Sequence, residues 1–112
     1  MPYGYTGKTM RVDLSNRKIE VEENDETYYR NYLGGRGVGY RYLLKRVPAG
    51  TDPLGPENKL IFAPGLLSGT PLVNTSRISI GAKSPLTGTI KESNAGGTVG
   101  ADLGHLGITA IV

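Results

Sequence analysis

Residues 73–101 decide the architecture that this sequence predicts. They read Val73-Asn74-Thr75-Ser76-Arg77, then Lys83-Ser84-Pro85-Leu86-Thr87-Gly88, then Lys91-Glu92-Ser93-Asn94-Ala95-Gly96-Gly97-Thr98-Val99-Gly100-Ala101. We call this stretch the glycine-rich platform. It combines glycine, small hydroxyl residues and amides with isolated cations, so a flat polyanionic ligand could lie close to its main-chain N–H groups. We therefore predict a binding surface here.

The order of elements in the platform follows from its pattern. An alternating strand over residues 77–80 leads into a turn, and a second short strand leads into Asn94. The Gly96-Gly97 step then opens a helix over residues 98–106, and an apolar strand follows at residues 108–112.

The N-terminal part predicts a β-hairpin followed by two short helices. Apolar residues alternate in 6–14 and 18–22, on either side of a polar turn. Asn24 or Asp25 can cap a helix that begins near Glu26 and ends at Gly34-Gly35.

A glycine run, residues 35–39, follows the first helix. It resembles a nucleotide-binding loop poorly, because its spacing is G-x-G-x-G and no Lys-Ser/Thr follows. We interpret it as a tight helix–helix junction, with Arg36 as a possible anion contact. The predicted inner face of the second helix consists of Tyr40, Leu43, Leu44 and Val47.

The tyrosines between residues 28 and 42 allow two interpretations. They could form a stacking surface, or they could pack in the core with their hydroxyl groups reaching water. We favour the core.

These elements predict an α+β fold with a mixed or antiparallel sheet. Residues 59–63 form a short apolar run, which predicts a strand buried on both faces. The strand at residues 108–112 meets no following turn or partner. We therefore expect residues 1–112 to be part of a domain that is cut off in mid-domain, with an unpaired edge at this last strand.

The composition narrows the classes of function. The net charge is +3, and the bases are concentrated after Glu26, where nine bases face four acids. This excess suits a phosphate-bearing ligand, although a solvated surface explains it equally well. We expect no nucleic-acid partner, because the tyrosines are not interleaved with clustered cations.

The sequence contains no cysteine and a single histidine, His105. It therefore cannot hold a disulfide, a thiolate zinc site or a cysteine-ligated iron–sulfur cluster. We expect no membrane partner and a cytoplasmic location, since no signal peptide or apolar span is evident. No Ser/His/Asp set, metal-ligand spacing or acid pair is recognisable either, so we assign no catalytic residue.

Six collinear motifs identify a resemblance that covers essentially the whole chain. The sequence is similar to the start of the N-terminal domain of the aldehyde ferredoxin oxidoreductase family, the tungsten or molybdenum pterin enzymes. The motifs are Gly7-Lys8 with Arg11-Val12-Asp13-Leu14-Ser15, Leu33-Gly34-Gly35-Arg36-Gly37, Asp52-Pro53-Leu54 with Pro56-Glu57-Asn58-Lys59-Leu60-Ile61, Gly65-Leu66-Leu67-Ser68-Gly69-Thr70, Lys83-Ser84-Pro85-Leu86-Thr87-Gly88 and Asn94-Ala95-Gly96-Gly97.

The resemblance implies a seat for two pyranopterin cofactors whose own sulfurs hold the metal. The family's cofactor-contacting arginine falls on Arg77. Its asparagine, which ligates a magnesium ion bridging the cofactor phosphates, falls on Asn94. Ala95, Gly96 and Gly97 fall where backbone N–H groups approach the ligand. If the resemblance is set aside, we would interpret Arg77 as a surface cation, and Asn94 and the glycines as a turn that enters a helix.

The resemblance also implies a reaction. In the complete enzymes an aldehyde is oxidised to a carboxylate, and electrons leave through a [4Fe-4S] cluster to ferredoxin. This chain would supply part of the cofactor seat, whereas aldehyde, ferredoxin and cluster would be bound by other domains or by a completing chain.

Two other hypotheses stay open from the sequence. The chain could be a non-catalytic scaffold that self-associates through the edge at residues 108–112. It could also bind free phosphate or nucleotide through residues 96–100.

Overall fold

The computed structural model describes residues 7–112 and confirms an α+β fold. Its elements follow the order of the prediction. They are β1 (Lys8–Asp13), β2 (Lys18–Glu23), α1 (Glu26–Tyr32), α2 (Arg36–Arg46), β3 (Ile61–Pro64), β4 (Ile78–Lys83), β5 (Ile90–Ala95), α3 (Val99–His105) and β6 (Ile108–Ile111).

β1 and β2 form the predicted hairpin, with Lys8 opposite Glu23 and Asp13 opposite Lys18. The side chain of Asp13 closes the turn, because its Oδ1 accepts hydrogen bonds from the backbone N–H groups of Ser15 and Asn16. The residue at which the first predicted strand began, residue 6, lies outside the described residues.

α1 begins where its capping residue predicts. Asp25 is the N-cap, and its carboxylate accepts a hydrogen bond from the backbone N–H of Tyr28 at 2.8 Å. Asn24, the other candidate, instead donates from its side chain to the hydroxyl of Thr9.

α2 corrects two predictions about the second helix. It begins at Arg36, so most of the glycine run forms its first turn, and the junction with α1 is confined to residues 33–35. Leu44 was predicted to face inward but is 74% exposed, whereas Val38 and Tyr42 are buried. Val38 and Tyr42 lie four residues apart on the face that packs in the core, and Leu44 lies on the solvent side.

The six strands form one mixed sheet in the order β2-β1-β6-β3-β4-β5. β1 and β6 are parallel, and the other neighbouring strands are antiparallel. This position of β6 corrects the prediction of an unpaired edge at the last strand. Because β6 pairs with β1 on one side and β3 on the other, neither a partner chain nor a second copy can add to it as the sequence suggested.

α2 packs on one face of the sheet. The core there consists of Val38, Tyr42, Leu43, Ile61, Ala63 and Ala110. β3 starts two residues later than the predicted strand, and Leu60, which precedes it, is 53% exposed. Phe62 and Ile111, which lie opposite each other on the other face, are only partly buried.

The tyrosines confirm packing in the core, but the hydroxyl groups of Tyr29 and Tyr42 do not reach water as predicted. The Tyr29 hydroxyl lies 3.0 Å from that of Thr109, and the Tyr42 hydroxyl is buried. Tyr29 and Tyr42 are buried, while Tyr28 contacts both Tyr29 and Tyr32 at ring centroid distances of 5.4 and 5.3 Å. Across residues 7–112, none of the helices has the length and apolar character needed to cross a bilayer.

Candidate cofactor-binding site

The pairing of β4 with β5 brings the predicted site residues to one end of the sheet. Ser79 lies opposite Asn94, and Ile78 lies opposite Ala95. Arg77 directly precedes Ile78, and Gly96 directly follows Ala95. Segments that are seventeen residues apart in the sequence therefore form one continuous surface, which alternation alone did not predict.

The glycines of this surface leave its backbone accessible. Gly96 and Gly97 are exposed, and a Cβ atom added to either would meet nothing within 4 Å. Gly97 has a φ of +110°, a conformation that side-chain-bearing residues rarely adopt, and it makes the turn from β5 into α3. A ligand can therefore approach this turn without meeting a side chain.

α3 is fixed closely beneath the surface at Gly100. A Cβ atom at this position would overlap the carbonyl oxygen of Ser76, the residue before Arg77. The absence of a side chain thus allows the first turn of α3 to pack directly on the backbone that carries the arginine.

The side chain of Arg77 is exposed and has neither a hydrogen bond nor an ion pair within residues 7–112. Its backbone is held nonetheless, since its carbonyl oxygen accepts a hydrogen bond from the N–H of Gly65 at 3.2 Å. A fixed backbone with an unengaged guanidinium group suits the binding of a phosphate or a pterin.

Asn94 belongs to a polar cluster on β4, β5 and the start of α2. Its Nδ2 donates to Oε1 of Glu92, which also accepts from the Ser79 hydroxyl at 2.9 Å. The other carboxylate oxygen, Oε2, accepts from a guanidinium nitrogen of Arg36 at 3.1 Å. The Glu92 side chain is only 9% exposed.

These donors set the ionisation of Glu92. The hydrogen bond from Ser79 lowers the pKa of the Glu92 carboxyl below its usual 4.5, and the bonds from Arg36 and Asn94 act in the same direction against the effect of burial. Glu92 is therefore an anion at neutral pH.

Sequence reasoning missed Glu92 and assigned Arg36 differently. Arg36 was a candidate anion contact, and its partner is a protein carboxylate 56 residues away. The sequence did contain a signal for Glu92. It lies two residues before Asn94 on a predicted strand, so the two side chains are expected on the same face.

The described residues contain no group of three or more His, Cys, Asp or Glu side chains placed to hold a metal ion. His105 is the last residue of α3. The arrangement instead offers a free guanidinium group, an oriented amide and exposed backbone N–H groups, which together can bind a phosphate-rich ligand and its counter-cation.

Comparison with known proteins assigns this arrangement to a family. The family model described as aldehyde ferredoxin oxidoreductase, N-terminal domain, matches residues 9–112. Tungsten-containing aldehyde ferredoxin oxidoreductases from Pyrococcus furiosus and Pyrococcus horikoshii are 47% and 46% identical over 98% of the chain. The WOR-like subunit of an aliphatic sulfonate oxidoreductase from Pyrococcus furiosus is 34% identical over the same share.

A solved structure agrees with these matches. The active-site complex BamBC of benzoyl coenzyme A reductase, in complex with 1,5-dienoyl-CoA, contains a chain that superposes with a TM-score of 0.94. The two chains are 39% identical, and the match covers 99% of the present chain and 17% of the other.

The fold and the matches define the class as an α+β domain found in large oxidoreductases. Within that class, the chain belongs to the aldehyde ferredoxin oxidoreductase family. It spans 18% of the length of the curated relatives.

Proposed function

We propose that this chain forms part of the seat of a bis-pyranopterin cofactor containing tungsten or molybdenum, with a bridging magnesium ion. The oxidoreductase would oxidise aldehydes to carboxylic acids with ferredoxin as electron acceptor. The observation that carries the proposal is the register of β4 and β5, which places Arg77, Asn94 and Gly96 at one end of the sheet.

Each residue of the surface fits a separate part of such a ligand. The exposed guanidinium of Arg77 would bind phosphate or pterin oxygens. The amide oxygen of Asn94 would ligate magnesium, which prefers oxygen donors. The backbone at Ala95, Gly96 and Gly97 would lie against the cofactor, because open space surrounds both glycines.

The metal and its pterins, when bound, supply the electron-transfer chemistry of the reaction. This chain's residues bind and orient that group, and none of them is proposed to transfer a proton. The chain has no cysteine, so the family's [4Fe-4S] cluster would be held elsewhere.

The relatives favour an aldehyde as the substrate class. Those named aldehyde ferredoxin oxidoreductases are 44–47% identical to the chain, compared with 34% for the sulfonate oxidoreductase subunit. Aliphatic sulfonates are therefore the second candidate.

We also propose that residues 1–112 form part of a larger N-terminal domain and work with further protein, either as additional domains or as a completing chain. Several large apolar side chains are highly exposed, among them Leu86 at 92%, Leu14 at 84% and Val73 at 84%. Packing against further protein would remove these side chains from water.

The proposal is tested on protein purified anaerobically from its native host. Tungsten, molybdenum and magnesium are measured by elemental analysis, and pterin is measured by fluorescence after oxidation. We expect one of the two heavy metals in stoichiometric amount, together with pterin and magnesium. A protein that lacks both metals and pterin would contradict the proposal.

Variants then test the named residues. Arg77→Ala and Asn94→Ala should each lower pterin and magnesium retention about tenfold or more, because hydrogen bonds to charged groups contribute roughly 1.5–3 kcal/mol. Lys91→Ala, which removes an exposed cation from the same strand as Asn94, is the matched control and should retain both.

A further inference from the structure

A cavity of about 300 Å³ lies between β1 and the last turn of α2, on the face of the sheet that α2 covers. Its volume is at the lower end of the range for sites that bind small molecules. It is separate from the glycine-rich platform, because β6 and β3 lie between β1 and the strands β4 and β5. The described residues that line it are Arg11, Tyr42, Arg46, Pro48, Glu57 and Lys59.

Positive side chains outnumber negative ones in this lining. Arg11, Arg46 and Lys59 are cations, whereas Glu57 is the one acidic residue that lines the cavity within residues 7–112. A guanidinium group binds phosphate and carboxylate oxygens in pairs, because its N–H groups form a planar fork. The cavity therefore favours an anionic ligand.

The present partners of the two arginines are acids at the rim, and they hold the arginines weakly. The guanidinium of Arg11 lies 3.3 Å from a carboxylate oxygen of Glu20 and 3.4 Å from one of Glu22. That of Arg46 lies 3.8 Å from the same Glu22 oxygen. Because the arginine side chains are 38% and 50% exposed, such ion pairs contribute little to stability, and an anion can replace Glu22 as their partner.

The hydroxyl group of Tyr42 is an independent indication of a ligand. Tyr42 is 7% exposed, and its hydroxyl is buried with no hydrogen-bond partner within residues 7–112, which is uncommon in folded proteins. Burial raises the pKa of this phenol, so the group is protonated at neutral pH and its O–H needs an acceptor. The cations beside it, Arg11 and Arg46, can only donate. An oxygen of a bound anion would supply the missing acceptor.

We propose that this cavity binds a small organic phosphate, with the guanidinium groups of Arg11 and Arg46 on the phosphate oxygens and the Tyr42 hydroxyl donating to one of them. A phosphate monoester suits the lining better than a carboxylate does, because it carries up to two negative charges and Lys59 adds a third cation. The size of the cavity and the apolar ring of Pro48 favour a ligand with a short carbon chain over a bare ion. The site uses none of the residues of the proposed cofactor seat.

The proposal is tested by isothermal titration calorimetry on the full chain at constant ionic strength. Glycerol 3-phosphate is the probe, and inorganic phosphate and glycerol are the comparison ligands. We expect saturable one-to-one binding of glycerol 3-phosphate, about tenfold tighter than that of inorganic phosphate because its carbon chain adds contacts with the lining, and no binding of glycerol. Equal affinity for both phosphates would mean an adventitious ion only and would overturn the proposal, as would the absence of saturable binding at millimolar concentration.

Variants of the lining then locate the site. Tyr42→Phe removes only the hydroxyl, so it should weaken the binding of glycerol 3-phosphate about tenfold, while its unfolding temperature stays the same or rises because a buried group without a partner is lost. Arg46→Gln should weaken binding to a similar degree. Lys45→Gln, which removes an exposed cation next to Arg46 but outside the lining, is the matched control and should bind as the wild type does. Unchanged binding in Tyr42→Phe would overturn the proposal.

Arg77→Ala distinguishes this cavity from the glycine-rich platform. This variant should bind glycerol 3-phosphate as tightly as the wild type does. If Arg77→Ala abolishes binding and Tyr42→Phe retains it, the phosphate binds at the platform and the proposal is wrong. The metal and pterin content of the native protein does not enter these titrations, so the proposed function and this site stand or fall on separate measurements.

Discussion

The hydroxyl groups of Tyr29 and Thr109 lie 3.0 Å apart, although 80 residues separate them in the sequence. Tyr29 is on α1 and is 2% exposed, and Thr109 is on β6. The side chain of Asn24 also reaches the Tyr29 hydroxyl, at 3.4 Å. This contact ties the first helix to a strand in the middle of the sheet.

Removal of the Tyr29 hydroxyl should therefore destabilise the fold. We expect Tyr29→Phe to lower the free energy of unfolding by about 1 kcal/mol, the usual net value of a buried hydrogen bond. Chemical denaturation measures it, and a double-mutant cycle with Thr109→Val isolates the pair. Tyr40→Phe, on α2, is the control, and an equal loss in both tyrosine variants would contradict the prediction.

Gly100 should tolerate no side chain, in contrast to Gly96. Gly100→Ala forces a Cβ atom against the carbonyl oxygen of Ser76, and we expect a loss of about 1–3 kcal/mol in the free energy of unfolding. Gly96→Ala meets open space and should change stability by less than about 0.5 kcal/mol. Thermal and chemical unfolding of both variants checks this, and similar losses would show that α3 is not packed as described.

The orientation of α2 can be tested with two adjacent leucines. Leu43 is 3% exposed and Leu44 is 74% exposed. Leu43→Ala should cost about 2–5 kcal/mol because it leaves a cavity in the core, and Leu44→Ala should cost well under 1 kcal/mol. Denaturant titration of the two variants measures both losses, and similar losses would mean that Leu43 and Leu44 both face inward, as the sequence predicted.

The features that the sequence predicted depend on neighbouring residues. The alternation that ends at Asp13 and the helix cap at Asp25 each involve only residues that are close together in the sequence. The hairpin and α1 were therefore predicted correctly. In α2 the adjacent leucines 43 and 44 gave no local signal for which one faces the core. The packing of Val38, Tyr42 and Leu43 against the core residues of the sheet settles that question.

The features that the sequence could not predict depend on distant pairs. β6 lies between β1 and β3, and no local pattern in the sequence encodes this order of strands. The pairing of Arg36 with Glu92 likewise required the start of α2 to lie over β5. Arg77 and Asn94 were singled out through the family resemblance, and the register of β4 and β5 then showed that they share one surface.

Asp13 should make the stability of the hairpin depend on acid pH. Hydrogen bonds from Asn16, first from its side chain and then from its backbone, lower the pKa of Asp13 below the usual 3.8. A carboxyl whose pKa is lower in the folded state stabilises the fold above its unfolded pKa, and this contribution is lost as the pH falls through the folded value.

The measurement compares wild type and Asp13→Asn by denaturant unfolding between about pH 6 and pH 2. The stability advantage of the wild type should be constant above about pH 5 and should shrink below pH 3.8. Asn16→Ala removes the side-chain donor, so its advantage over the corresponding double variant should be smaller above pH 5 and should be lost completely at a higher pH than in the wild type. A pH-independent difference between wild type and Asp13→Asn would rule out this role.

Ile111 distinguishes an interior strand from an assembly edge. It is paired with Met10 on β1 and Phe62 on β3, and its side chain is partly buried. Ile111→Lys places a charge within this apolar face, so we expect the free energy of unfolding to fall by about 1–3 kcal/mol, with no change in the elution volume of the folded protein.

Ile19→Lys, on the outer strand β2 and already 60% exposed, is the matched control and should cost less than about 0.5 kcal/mol. Size-exclusion chromatography and thermal unfolding together decide the question. A later elution of Ile111→Lys with undiminished stability would mean that β6 mediates self-association, because a lysine there would then break a contact between chains and leave the sheet intact.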